Sequence, residues 1–282
     1  LYFLFFIIVI CSGSINMSRN GKYLRLFVIT SLVFFYAPAL LLPIFALNQS
    51  QVIAFPIEGF SLRWFEALLS EQTLHAALKN SLFVAVTAAV LGTLLGVLTA
   101  RANSRYEFFG KKPSLSFILV PLVIPELIIG VALLIVLMQL GLSLNLWTVI
   151  LGHTLLIMPF STLVMLSAFN NLDQSIEEAS MDLGETAFGT FRRIILPMVA
   201  PGLMASFIIG FTISLDEFMI AFFLTGTEPT LPVYIWAQFR FPVKLPSVMA
   251  LGTILLIFSL LLLSLSEFFR RRTSKSGALE IV

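Results

Sequence analysis

Apolar residues in this chain do not alternate with polar ones, nor do they mark one stripe of a half-exposed helix; they run in long blocks, and the charges gather between the blocks. A helix needs about 20 mostly apolar residues to cross the hydrocarbon of a bilayer. That length is reached six times, over Leu24 to Leu47, Asn80 to Ala100, Leu115 to Met138, Leu146 to Phe169, Leu196 to Leu224 and Ser247 to Phe268. The blocks are too long and too evenly apolar for barrel strands, whose polarity alternates. The expected fold is therefore all-α integral membrane, a six-transmembrane-helix bundle over residues 24–268.

Lys and Arg collect on the cytoplasmic side of membrane proteins. Here Arg19, Lys22, Arg25, Arg101, Arg105, Lys111, Lys112, Arg192, Arg193, Arg270, Arg271, Arg272 and Lys275 fall on one face, while the opposite loops hold Arg63, Lys79, Arg240 and Lys244. Both termini are then expected in the cytoplasm, with residues 17–23 as the N-terminal segment and 269–282 as a basic tail. Residues 1–16, LYFLFFIIVICSGSIN, fit poorly: their apolar run is too short to span and has no basic leader. Met17, followed by SRNGKYLR, is the more natural start, so 1–16 is expected to be a start-site overextension, with a short interfacial anchor or a cleaved leader as the alternatives.

Composition agrees with the pattern. Apolar residues make up 59% of the chain and charged ones 11%, against about 25% charged in a soluble domain, and mean hydropathy is +1.01. The net charge of +2 suggests no nucleic-acid partner. Cys11, the only cysteine, excludes an internal disulfide and a Cys-based metal site. His75 is expected in a loop and His153 in an apolar segment, and neither belongs to a His-Glu-x-x-His pattern. No Gly-x-x-x-x-Gly-Lys-Ser/Thr phosphate loop occurs, so the chain is not expected to bind or hydrolyse ATP, to hold a cofactor or to be an enzyme by itself.

One polar run, residues 173–197, interrupts the apolar blocks on the cytoplasmic side. Ile176, Ala179 and Leu183, then Phe188, Phe191 and Ile195, recur at helical spacing on either side of Gly184. This predicts an amphipathic helical hairpin that turns at the glycine, with Pro197 in the first turn of the next span. Such a hairpin rests on the bilayer or docks into a groove of a partner. Asp173, Glu177, Glu178, Asp182 and Glu185 would be repelled by anionic lipid, which favours docking.

The sequence Glu178-Ala179-Ser180, then Gly184, then Ile194, Leu196 and Pro197 resembles the EAA loop of the permease subunits of ABC importers. The resemblance extends from about Lys22 to Arg272, and within the family it is nearest the spermidine/putrescine, PotC-like type. The stretches FILVPLVIPELIIG, LGHTLLIMPF and FTISLDEFMIAFFLTG carry that narrower likeness. It implies the type I ABC importer permease fold and a multi-pass location in the bacterial inner membrane. It also implies a coupling loop in which Glu178, Ala179, Ser180, Gly184, Phe188, Ile194, Leu196 and Pro197 meet a cytoplasmic ATPase. The implied partners are two ATP-binding cassette subunits that hold the ATP, a second homologous permease subunit, an extracytoplasmic substrate-binding protein and membrane lipid. Ser180 stands where Ala is usual, and Glu217 where spermidine-type permeases carry a second Asp.

Asp216 and Glu217 lie roughly 20 residues into the apolar stretch from Leu196, and a carboxylate at a helix centre costs about 2.5–3.5 kcal/mol on insertion scales. Together with Glu126 they either line a polar path for a cationic substrate or satisfy neighbouring helices in a structural network. Adjacent helical residues point about 100° apart, so Asp216 and Glu217 do not both face one small site squarely. His153 is read as a hydrogen-bonded packing residue, Pro121, Pro125 and Pro159 as kinks, and Gly92 with Gly96 as a close-packing pair. The outer loops Asn48 to Lys79 and Gly226 to Pro246, with Trp64, Tyr234, Trp236 and Phe239, are read either as the binding-protein surface or as membrane-interface anchors. The alternatives to a polyamine importer are an ABC permease for an organophosphonate or amino-acid-like solute, an ion-coupled secondary transporter and an integral-membrane enzyme.

Overall fold

The computed structural model describes residues 21–258 and residue 261, with side chains from residue 26 onward. The readings for residues 1–16, for the basic tail and for the far end of the last span lie outside these described residues. Among them the regular secondary structure is helical, and the loops hold one isolated antiparallel bridge, Asn48 to Phe60. The described residues divide into two compact units, one holding residues up to Ser70 together with those from Phe241 onward, the other Glu71–Arg240.

The first unit contains α1 (Gly21–Ala46), which carries Pro38 and Pro43 inside it, and the short amphipathic α2 (Arg63–Ser70). Phe27, Phe34 and Phe35 of α1 are exposed, as expected of a helix whose surroundings are lipid or other apolar helices. Trp64 is buried under the loop after α1, where its indole Nε1 donates to the Asn48 carbonyl at 2.8 Å. The apolar helix Pro242–Phe258 closes the unit, with Gly252 turned toward Leu42.

The second unit holds α3 (Gln72–Arg105), α4 (Lys111–Leu119), α5 (Glu126–Gln139), α6 (Leu146–Asn170), α7 (Gln174–Asp182), α8 (Ala187–Thr190), α9 (Leu196–Asp216), α10 (Met219–Leu224) and α11 (Leu231–Gln238). Its centre is the packing of α3, α6 and α9. Val84, Ala88, Val149, Ile150, Ile157 and Ile220 form one apolar cluster, and Val97, Ala100, Met165, Phe169, Ile195 and Val199 form another nearer the polar loop. Without a hydrophobic drive between helices in lipid, such contacts depend on small residues that let backbones approach. Gly96 is the tightest of these: a Cβ there would lie 2.3 Å from Ser161 Oγ and 2.8 Å from the Ser161 carbonyl carbon.

Among the described residues, four helices are long and apolar enough to cross a membrane, Leu26–Ala46, Gln72–Arg105, Leu146–Asn170 and Ala187–Asp216, and a bent pair makes a fifth if counted as one span. The span expected from Leu115 to Met138, with kinks at Pro121 and Pro125, is broken into two helices: Lys111–Leu122 and Glu126–Gln139 meet at 103°. Pro125 stands at the break, where it donates no backbone hydrogen bond and disfavours helical backbone in the residue before it, and Pro121 lies in the short 3-10 turn Val120–Leu122 that precedes it. The expected span from Leu196 to Leu224 also breaks, after Asp216. His75 is in the first turn of α3, not in a loop. Gly96→Ala is predicted to cost about 1–3 kcal/mol by overpacking against the Ser161 backbone; thermal unfolding in detergent measures it, and a wild-type melting temperature would contradict the packing described.

Candidate functional site

The polar loop is a hairpin with defined caps. Asp173 begins α7 by accepting from the Ser175 amide at 3.0 Å, a bond that also holds its carboxyl below the usual carboxylate range. The helix ends at Gly184, whose φ of +90° is left-handed backbone that a side chain resists. Around it Gly184 N donates to Met181 O at 2.9 Å and Glu185 N to Ser180 O at 3.2 Å, the paired bonds of a Schellman stop. Thr186 then caps α8 by accepting from Gly189 N at 3.0 Å.

Ser180 explains its own departure from Ala. Buried at the hairpin's base, its Oγ lies 2.9 Å from Thr190 Oγ1 and ties the two arms together. Glu178 and Ala179 are exposed, and the apex presents Met181, Leu183 and Phe188, of which Leu183 is 90% exposed and Phe188 73%. Phe188, Phe191 and Ile195 do not share one face: Ile195 is buried and Phe191 packs beside it, while Phe188 points out. The segment Phe191–Ile195 is a single π turn, which shifts the helical register by one residue there. Ile194 and Leu196 are half-buried, and Pro197 is exposed in the first turn of α9, where its missing amide leaves no bond unmade.

Glu177 behaves unlike the acids around it. It is buried, and its carboxylate accepts from Arg101 Nη1 at 2.7 Å, Arg101 Nη2 at 2.5 Å and Arg105 Nε at 2.7 Å. Arg105 Nη2 also donates to the carbonyls of Phe169 and Leu172, at 3.1 and 3.0 Å, where α6 ends. The hydrogen bonds from Arg101, then those from Arg105, outweigh burial and hold the Glu177 carboxyl below its ordinary value of 4.5. Sequence reasoning placed all three residues on the cytoplasmic face but read Glu177 as part of the exposed acidic surface; the four-residue spacing of Arg101 and Arg105 was the available signal.

The three intramembrane carboxylates separate. Glu217 is not at a helix centre but in the break between α9 and α10, where it is buried and accepts from the amides of Ile220 at 2.9 Å and Ala221 at 3.1 Å. His153 Nε2 sits 3.2 Å from its Oε2, while His153 Nδ1 bonds Ser214 Oγ at 2.7 Å. Glu217 is thereby committed to capping α10 and holding His153. Asp216, the last residue of α9, is exposed, as is Glu126 in the first turn of α5. Among the outer-loop aromatics, Trp64 and Tyr234 are buried and so are neither docking nor interface surface, whereas Trp236 and Phe239 are about half exposed.

The family of binding-protein-dependent transport system inner membrane components matches residues 92–275, a stretch that holds the hairpin and the carboxylate break. The chain belongs to that family. It is a permease subunit of an ABC importer, crossing the bacterial inner membrane more than once. It is 32% identical over 259 residues to the spermidine/putrescine transport system permease protein PotC of Escherichia coli, covering 91% of this chain and 97% of that one. It is 34% identical over 232 residues to the putrescine transport system permease protein PotI of Escherichia coli, covering 79% and 82%. The fold matches a bacterial alginate ABC transporter solved in complex with an alginate pentasaccharide-bound periplasmic protein, with a TM-score of 0.69 at 19% identity over 90% of this permease and 94% of the other chain. Membership sets aside the ion-coupled transporter and the membrane enzyme.

Because the folded Glu177 carboxyl is depressed, its contribution to anchoring the hairpin is complete above pH 4.5 and is lost as pH falls through the folded value. A spin label at Ser175, in a chain carrying Cys11→Ser, is predicted to be immobilised at pH 4.5 and above and released only as pH falls through the lower, folded value of Glu177. In Glu177→Gln the label should be released at every pH. Immobilisation that does not change with either pH or the substitution would contradict the clamp.

Proposed function

We propose that this permease translocates polyamines, with spermidine and putrescine as the substrate class, by alternating access driven by a separate ATPase. The observation that carries the reading is the near full-length match to spermidine/putrescine permeases. Asp216 and Glu126 are the path-lining carboxylates in this reading, because an ammonium stripped of water needs compensating charge and these two are exposed. Glu217 serves the path indirectly, by fixing the break that brings Asp216 to the helix end. The working importer has six crossings with both termini in the cytoplasm, two ATP-binding cassette subunits that bind the ATP, a second homologous permease subunit and an extracytoplasmic binding protein. Lipid surrounds it, and this chain needs no cofactor of its own.

The hairpin of residues 173–197 is the link to the ATPase. Its exposed Leu183 and Phe188 supply apolar knobs for a cleft, and Glu178 with Asp182 rims them with charge. ATP-driven closure inside and binding-protein docking outside then shift an existing equilibrium between inward-open and outward-open bundles. A permease for another small solute, an organophosphonate or an amino-acid-like compound, is the second reading, since an alginate transporter shares the fold and the fold does not select the cargo.

ATP hydrolysis by the reconstituted complex across polyamines, amino acids and phosphonates tests the substrate class. Stimulation by spermidine or putrescine is the predicted result, and stimulation by a different solute alone would reject it. Gly184→Asp is predicted to insert normally yet abolish coupled uptake, because the left-handed turn is lost; normal uptake would remove the hairpin from the coupling role. Asp216→Asn is predicted to slow polyamine uptake several-fold with the complex intact, and unchanged kinetics would return Asp216 to a structural role.

A further inference from the structure

α3 differs from the other long helices in one covalent respect. It carries no proline along Gln72–Arg105, whereas α1 contains Pro38 and Pro43, α6 contains Pro159 and α9 contains Pro201. Proline removes an internal hydrogen bond and bends a helix, so the neighbours have built-in points of yielding that α3 lacks. α3 is also held along its length, since Gly92 and Gly96 sit directly against Ile157 and Ser161 of α6.

Both ends of this proline-free helix are tied to loops. Near its start Ser81, 3% exposed, accepts from the Leu231 amide at 2.7 Å, and Asn80 Nδ2 donates to the Pro229 carbonyl at 3.1 Å. Those bonds hold the segment between α10 and α11, which reads as outer loop. At its last turns Arg101 and Arg105 grip Glu177 at the base of the hairpin, and Arg105 also holds the end of α6. The rise from Ser81 to Arg101 is about 30 Å, the thickness of the hydrocarbon.

We infer that α3 is a strut between the outer loop at residues 229–231 and the coupling hairpin, with Asn80 and Ser81 as its outer tie and the Arg101–Glu177–Arg105 clamp as its inner one. The inference rests on the membrane orientation and partners of the proposed function. A binding protein docked outside displaces the outer loop; α3 does not bend, so its inner end moves with it and carries the hairpin against the ATPase. The clamp residues are positioning residues: Glu177 lies beneath the docking surface and acts through the hairpin's placement. Coupling free energy is reciprocal, so weakening either tie lowers both the stimulation of ATP hydrolysis by docked binding protein and the affinity for that protein in the ATP-bound state.

The test uses the full reconstituted complex with putrescine-loaded binding protein, reading ATP hydrolysis as the ratio to each variant's own basal rate. Glu177→Gln, and separately the pair Asn80→Ala with Ser81→Ala, are predicted to lower that ratio at least five-fold while co-purifying with the ATPase. Glu177→Gln leaves two partly buried guanidinium groups uncompensated; the triple variant Glu177→Gln, Arg101→Gln, Arg105→Gln removes the whole charge set and keeps the question open to refutation if the single variant does not fold. The triple variant is predicted to lose the ratio as well. A wild-type ratio in any assembled variant, or loss at only one end, overturns the strut. An unaltered complex that no loaded binding protein stimulates instead overturns the proposed function beneath it.

Discussion

The arrangement depends most on one buried ionic knot, Glu177 between Arg101 and Arg105. Burying a carboxylate and two guanidinium groups is expensive unless each is paired and its remaining hydrogen-bonding groups are satisfied. Here the fork of Arg101 meets both carboxylate oxygens, and Arg105 divides its donors between Glu177 and the last carbonyls of α6. Helix termini leave carbonyls without partners, so the same guanidinium satisfies a helix end and fixes where the hairpin begins. Removing one member strands the others in a poorly solvated site, which costs about 3 kcal/mol or more. The knot therefore ties the hairpin to the ends of α3 and α6.

The interruptions of the helices lie elsewhere. The bent pair at Pro121 and Pro125 and the break after Asp216 interrupt helices that the membrane would otherwise keep continuous. Non-helical backbone at membrane depth is tolerated only where protein or a water-filled cavity satisfies it. At the second break the satisfaction is visible: Glu217 covers the first amides of α10, His153 stands against Glu217, and Thr148 Oγ1 donates to the Leu224 carbonyl at the far end. The polar groups that stabilise the break leave Asp216 beside it, exposed at the end of α9. One charge builds the interruption and its neighbour stays exposed beside it.

Much of this was legible along the chain because the bilayer imposes a length and an excluded chemistry. Apolar blocks marked the long helices, Gly184 marked the turn through its backbone freedom, and Pro197 marked the entry to α9. The bends were underread, since a continuous apolar run looks the same whether straight or folded back, and prolines signal a kink without giving its angle. The role of Glu177 was hidden for a related reason. A charge between apolar blocks reads as solvated unless its partners, more than seventy residues earlier, are brought to it by tertiary packing. Asp216 and Glu217 were found together by their cost in lipid, but only the break in the backbone separates the locked carboxylate from the exposed one.

The central claim is that the hairpin's apex is what the ATPase grips, and its most direct measurement is site-specific photo-crosslinking in the assembled importer. A photoreactive residue at Leu183, which stands clear of the chain, should join this permease to an ATP-binding subunit, whereas one at the buried Ile195 should react only within the chain. Reaction of position 183 with lipid alone, with no adduct to an ATP-binding subunit in a complex that hydrolyses ATP, would contradict the account.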